Sequence, residues 1–175
     1  PFSIDTYLPA FSGIASALNA TPVQMQQTLS AYLLGFAFMN LFHGALSDCF
    51  GRRPVVLIGL SVFTLASVGC AVAGSIGQLV FWRTVQGMSA GAGIVVSRAI
   101  IRDMVPMEEA ASMIGYVTMG MTLIPMIGPM LGGFLSDSFG WRSNFAAILI
   151  AAILVFLLIY RDLGETNHQK SDSFS

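Results

Sequence analysis

Six apolar runs, each near the length that crosses a bilayer, occupy almost the whole of this chain. They cover about 1–18, 24–46, 54–74, 78–100, 111–135 and 143–160. A hydrocarbon core needs roughly 20 helical residues, and only short polar links separate these runs. A soluble fold does not absorb that pattern. The chain is 55% hydrophobic and 10% charged, with mean hydropathy +0.75, whereas a globular domain carries about 25% charged residues. The predicted class is an all-α membrane protein with six transmembrane helices at 1–160. The first run opens abruptly at Pro1, without the basic segment of a signal peptide, and reads as a helix missing part of its start. After Arg161 the composition turns polar, so 161–175 reads as a cytoplasmic linker.

Helix ends carry ordinary punctuation. Thr21, Pro22 and Gln24 form a capping-box pattern with proline at the first helical position. Pro54 and Pro106 suit first turns, and Glu108 and Glu109 suit a helix N-terminus. If the spans alternate, Arg52, Arg53, Arg98, Arg102, Arg161 and Lys170 fall on one side and Arg142 alone on the other, with Arg83 inside a span. The positive-inside rule then places the loops after the second and fourth spans, and the tail, in the cytoplasm.

Two ten-residue stretches lie 89 positions apart. GALSDCFGRR runs from Gly44 to Arg53 and GFLSDSFGWR from Gly133 to Arg142, with seven identities. The first follows span two and the second follows span five, on opposite membrane faces. Spans one to three and four to six therefore read as two copies of one three-helix unit with opposite topology, the inverted repeat of secondary transporters.

Several functions are excluded. Net charge is −1, so there is no basic face for nucleic acid. The sequence holds no metal-ligand cluster, nucleophile elbow or phosphate loop, which speaks against an enzyme, a metal or cofactor site and an ATP-driven pump. Cys49 and Cys70 sit at opposite ends of one span, too far apart to bridge. His43 and His168 are isolated and read as structural.

These motifs resemble the major facilitator superfamily. Its signature after the second helix, G-x-L-x-D-x-x-G-R-R/K, matches Gly44, Leu46, Asp48, Gly51, Arg52 and Arg53. R-x-x-Q-G on the fourth helix matches Arg83, Gln86 and Gly87, and G-P-x-x-G-G on the fifth matches Gly128, Pro129, Gly132 and Gly133. PFSIDTYLPAF and SRAIIRDM look like the bicyclomycin-resistance (Bcr/CflA) type of drug:proton antiporter. The resemblance implies a twelve-helix transporter of which this is the amino-terminal six-helix half, partnered by a carboxyl-terminal half. A glycine common in antiporters four residues before the Gly-Pro pair is here Ile124, beside Pro125.

Asp5 stands in an otherwise apolar segment. A charge near the bilayer centre costs about 2.5–3.5 kcal/mol on insertion scales, so such a carboxylate faces a bundle interior or wet cavity. It is a candidate to bind a proton, or a cationic part of a substrate, in alternation; the plainer reading is a hydrated interfacial residue or a cap. Arg83 shares a helix face with Gln86, Gly87 and Ala90. It either snorkels to the interface or faces the cavity, where the resemblance implies a part in proton coupling. The loop with Gly44, Asp48, Gly51, Arg52 and Arg53 reads as a gate that breaks its contacts when the transporter rocks, or as a simple positive-inside anchor. Pro125, Gly128, Pro129, Gly132 and Gly133 predict a bent, closely packed helix at the interface between halves. Met113, Met119, Met121, Met126 and Met130 supply either adaptable substrate-facing surface or core filler.

The function expected is proton-coupled efflux of small lipophilic compounds across the bacterial inner membrane by alternating access. The alternatives are a porter for a metabolite such as a sugar or amino acid, and a structural membrane protein without a transport cycle.

Overall fold

The computed structural model describes residues 2–164. His168, Lys170 and the linker beyond residue 164 lie outside the described residues. Helices α1 (Phe2–Asp5), α2 (Phe11–Leu18), α3 (Pro22–Phe50), α4 (Arg52–Val72), α5 (Ile76–Met104), α6 (Met107–Phe139) and α7 (Arg142–Asp162) follow in order, with a 3-10 turn at Leu8–Ala10 between α1 and α2. Among the described residues there is no strand, and α3 to α7 are each long and apolar enough to cross a membrane.

The apolar run at 1–18 is not one continuous helix. Pro9 is the physical reason. It has no N–H to donate to the Asp5 carbonyl four residues earlier, and its ring crowds that carbonyl. The Ala10 amide then bonds Tyr7 O at 3.1 Å, a tighter turn that leaves the Thr6 carbonyl without its helical partner. An apolar run states which solvent a segment prefers; it does not state whether the helix is continuous.

The remaining ends follow local chemistry. Thr21 Oγ1 accepts from the Gln24 amide at 3.3 Å while Gln24 Oε1 accepts from the Thr21 amide at 2.9 Å, completing the capping box at α3. Ser75 caps α5 through the Gln78 amide at 3.3 Å. Pro106 sits just outside α6 as its N-cap, and Glu108 and Glu109 occupy the first turn, where the helix dipole favours negative charge.

Helix α3 packs most extensively on α5, running parallel to it. A Cβ at Gly35 would lie 2.6 Å from Thr84 O, so the two backbones approach as closely as small residues allow. Helix α5 also packs on α4, which lies against α7. The first span packs instead on α6 and α7. Each triplet's leading member is thus embraced by the other triplet, the exchange expected of an inverted repeat. The repeated loops share a backbone: Gly51 has φ 104 and ψ 155, Gly140 φ 85 and ψ 164. Both conformations lie where only glycine is comfortable.

Helix α6 runs as one helix through Pro125 and Pro129. Of its 33 residues only Ala110, Gly128 and Gly132 are buried. Pro125, Pro129 and four of the five methionines face outward, Met130 at 75% exposure. Close packing is therefore confined, within this chain, to one glycine stripe.

Candidate functional site

Arg83 is the largest fully buried side chain among the described residues. Helix α5 carries it into the middle of the six-helix unit rather than to an interface, so snorkelling does not occur. Its guanidinium lies between two aromatic faces, 4.1 Å from the Tyr7 ring centroid and 4.4 Å from that of Tyr32. Cation–π attraction of this kind strengthens once water is removed. Nη1 donates to Gln86 Oε1 at 2.7 Å and to Ser3 O at 3.4 Å.

Gln86 continues the chain of contacts. Its Nε2 donates to Ser67 Oγ on α4 at 2.9 Å, and Ser67 Oγ donates to Phe63 O at 2.8 Å. The two tyrosines are pinned as well. Ser3 Oγ donates to Tyr32 Oη at 3.0 Å. Thr28 Oγ1 gives its proton to Met25 O at 2.6 Å, so Tyr7 Oη donates to Thr28 Oγ1, also at 2.6 Å. The result is a polar layer through α1, α3, α4 and α5. Its framing residues Ser3, Tyr7, Thr28, Tyr32 and Ser67 were not singled out from the sequence. Two tyrosines inside apolar spans were the available signal, since a buried phenol needs a partner.

The layer is incompletely satisfied. Arg83 Nε and Nη2 are buried without a hydrogen-bond partner, as is Asp5 Oδ2. Neither Arg83 nor Asp5 makes an ion pair among the described residues. Asp5 ends α1 at the break and presses on α6: a Cβ at Gly128 would come 2.6 Å from Asp5 Cβ, and one at Gly132 would come 2.6 Å from Thr6 O. Gly133, one position on, has only Pro9 Cβ nearby, at 3.9 Å. The helix-six glycines thus form the seat of the broken first span. A cleft of about 400 Å³ opens beside this layer, lined among others by Phe2, Tyr32, Phe36, Ala90, Met121 and Ile124. A larger groove of about 620 Å³ among α3, α4 and α5 contains His43 and none of the predicted site residues.

The gate-loop residues gather at one end of the bundle, apart from Asp5 and Arg83. Arg52 Nη1 contacts Asp48 and donates to Ser47 Oγ at 2.6 Å, while Nε donates to Asp103 Oδ2 at 2.9 Å. This ties the end of α3 and the start of α4 to the end of α5. Arg53 turns to α7, donating to Tyr160 O at 2.9 Å with its guanidinium 5.6 Å from the Tyr160 ring centroid. Gly51 supplies the turn, and a Cβ at Gly44 would lie 3.9 Å from Val95 Cγ1.

Comparison with known proteins gives the same answer as the geometry. The sequence profile of the Major Facilitator Superfamily matches residues 1–174. A bicyclomycin resistance protein homolog of Haemophilus influenzae is 34% identical over 172 residues, which is 98% of this chain and 43% of that protein. Multidrug resistance protein D of Escherichia coli is 32% identical, over 91% of this chain and 41% of that protein. The chain therefore spans about two fifths of the length of these relatives. Among solved structures, a D-xylose–proton symporter superposes with a TM-score of 0.80 at 19% identity, covering 94% of this chain and 46% of its own. The human organic anion transporter MFSD10 does so at 0.66 and 22%, covering 97% and 46%. An inverted pair of three-helix units, three signature motifs in their expected helices and a match along nearly the whole length agree, and the chain belongs to the major facilitator superfamily.

Proposed function

We propose that this six-helix unit, working with a second six-helix half, exports small lipophilic compounds in exchange for protons across the bacterial inner membrane. In this reading Asp5 carries the proton and Arg83, positioned by Gln86, senses its charge. The loops with Arg52, Arg53, Arg98 and Arg102 face the cytoplasm. The observation that carries it is a buried guanidinium set against the broken first span and a carboxylate on that span, both with unpartnered polar atoms. A buried charge without a counter-ion is costly, so an arrangement that exchanges partners through a cycle is favoured over a static one. The drug-resistance names of the relatives support the substrate class. The Arg52–Asp48–Asp103 cluster is the proposed gate, closing one face and parting when the halves rock.

The test uses inverted vesicles with an acidic interior containing the full-length transporter. Several unrelated lipophilic drugs should each partly collapse the pH gradient, and Asp5→Asn should abolish the effect. Absence of any drug-linked proton movement rejects export and favours a metabolite porter. Collapse that survives Asp5→Asn keeps the function and removes Asp5 from it.

A further inference from the structure

We infer that Asn144 is a positioning residue for Asp5. It holds the broken turn of the first span at Thr6, three residues along from the Ser3 carbonyl that Arg83 contacts. The inference rests on the proposed proton-carrying role for its functional consequence, but not for its geometry.

Pro9 breaks the helix just after Asp5 and strands the Thr6 carbonyl. Asn144, on the first turn of α7, occupies that vacancy: its Nδ2 donates to Thr6 O at 3.0 Å. The side chain is 1% exposed, and its Oδ1 is buried with no partner. A leucine of similar size would suit an apolar interior without that penalty, so filling space does not account for the amide. Hydrogen bonding a stranded carbonyl does.

The contacts on this short segment are arranged around Asp5. Arg83 holds Ser3 O, two residues before Asp5. Asn144 holds Thr6 O, one residue after it. Gly132 allows α6 to rest on the Thr6 backbone, and Gly128 leaves room for Asp5 Cβ. The Asp5 peptide is thereby pinned between α5, α6 and α7, and the carboxylate cannot slide along the span without breaking the Asn144 bond. Asn144 touches no reacting atom; it acts through the backbone that presents Asp5.

The experiment reads the Asp5 carboxyl directly. Full-length transporter in vesicles is treated with dicyclohexylcarbodiimide, which modifies protonated carboxyls in apolar surroundings, and labelling of the Asp5 peptide is followed by mass spectrometry over a pH series. Asn144→Leu and the isosteric Asn144→Asp are compared with Asn40→Ala, which removes a half-buried amide whose buried Oδ1 faces Gly91 of α5. Both Asn144 variants should change the labelling rate at Asp5 by about threefold or more, the scale of one hydrogen bond's net contribution. Asn40→Ala should leave it unchanged. The pH at which drug-linked transport is half-maximal should move in the Asn144 variants, while the KM for drug stays within about twofold, as expected when substrate binding is untouched. If Asn144→Leu does not accumulate, Asn144→Asp carries the test. Unchanged labelling and an unchanged pH profile overturn the inference, as does an equal change in Asn40→Ala. Should Asp5→Asn leave proton movement intact, the proton reading fails, and the labelling still decides whether Asn144 positions this carboxyl.

Discussion

The chain writes one ten-residue phrase twice and folds the copies to different ends. In GALSDCFGRR the penultimate residue is Arg52, which joins Asp48, Ser47 and Asp103 in a polar knot at one end of the bundle. In GFLSDSFGWR the same place holds Trp141, which is 7% exposed and meets Phe145 edge to face at 6.1 Å. Asp137, the counterpart of Asp48, is exposed. Both copies keep the glycine turn, and both keep the final arginine. Of the three differences between the copies, the exchange of Arg52 for Trp141 replaces an ionic cluster with an apolar contact. Arg52 is itself buried, but its partners Asp48 and Asp103 keep side-chain exposures of 51% and 26%, so water can replace them at modest cost, whereas a buried indole leaves its pocket less cheaply. The first loop is therefore held by contacts that salt weakens and the second by apolar burial that salt leaves alone.

That contrast can be broken at its strongest point first. Trp141→Ala should cost about 3–5 kcal/mol, the range for deleting a buried aromatic side chain, and should lower the melting temperature in detergent by the same amount at low and high salt. Arg52→Leu should cost less, about 1–3 kcal/mol for losing charged hydrogen bonds, and its deficit should shrink as salt screens the wild-type pairs. Equal salt dependence of the two variants would erase the distinction between ionic cluster and apolar contact. The smallest effect tests what the copies share. Arg53→Leu and Arg142→Leu should each cost about 0.5–1 kcal/mol, as arginines on helix-end carbonyls do, with the half-buried Arg53 at the upper end and the exposed Arg142 at the lower.

The repeat itself was the most legible part of the fold, because seven identities at matching points of two triplets impose inverted topology. The capping box at Thr21 was equally plain, being a purely local arrangement. Continuity of the first span was not, since the apolar run concealed a proline four residues after Asp5; that spacing was the signal. Arg83 and Gln86 were visible as a motif, but their partners Tyr7, Tyr32 and Ser67 come from other helices and depend on packing that no local pattern encodes. Asn144 could have been noticed as a lone amide at the head of an apolar helix. Its target, the Thr6 carbonyl, lies 138 residues away.

The last arginine of each phrase reaches the far end of the other copy's helix. Arg53, at the start of α4, donates to Tyr160 O near the end of α7. Arg142, at the start of α7, donates to Ala71 O at 2.8 Å and Ala73 O at 3.4 Å at the end of α4. During synthesis the carbonyls closing α4 leave the ribosome 71 residues before the arginine that serves them, an interval of several seconds at roughly 5–20 residues per second. Tyr160 in turn emerges 107 residues after Arg53. Both fastenings therefore wait for α7, the Arg142 contact needing only its first turn and the Arg53 contact its last.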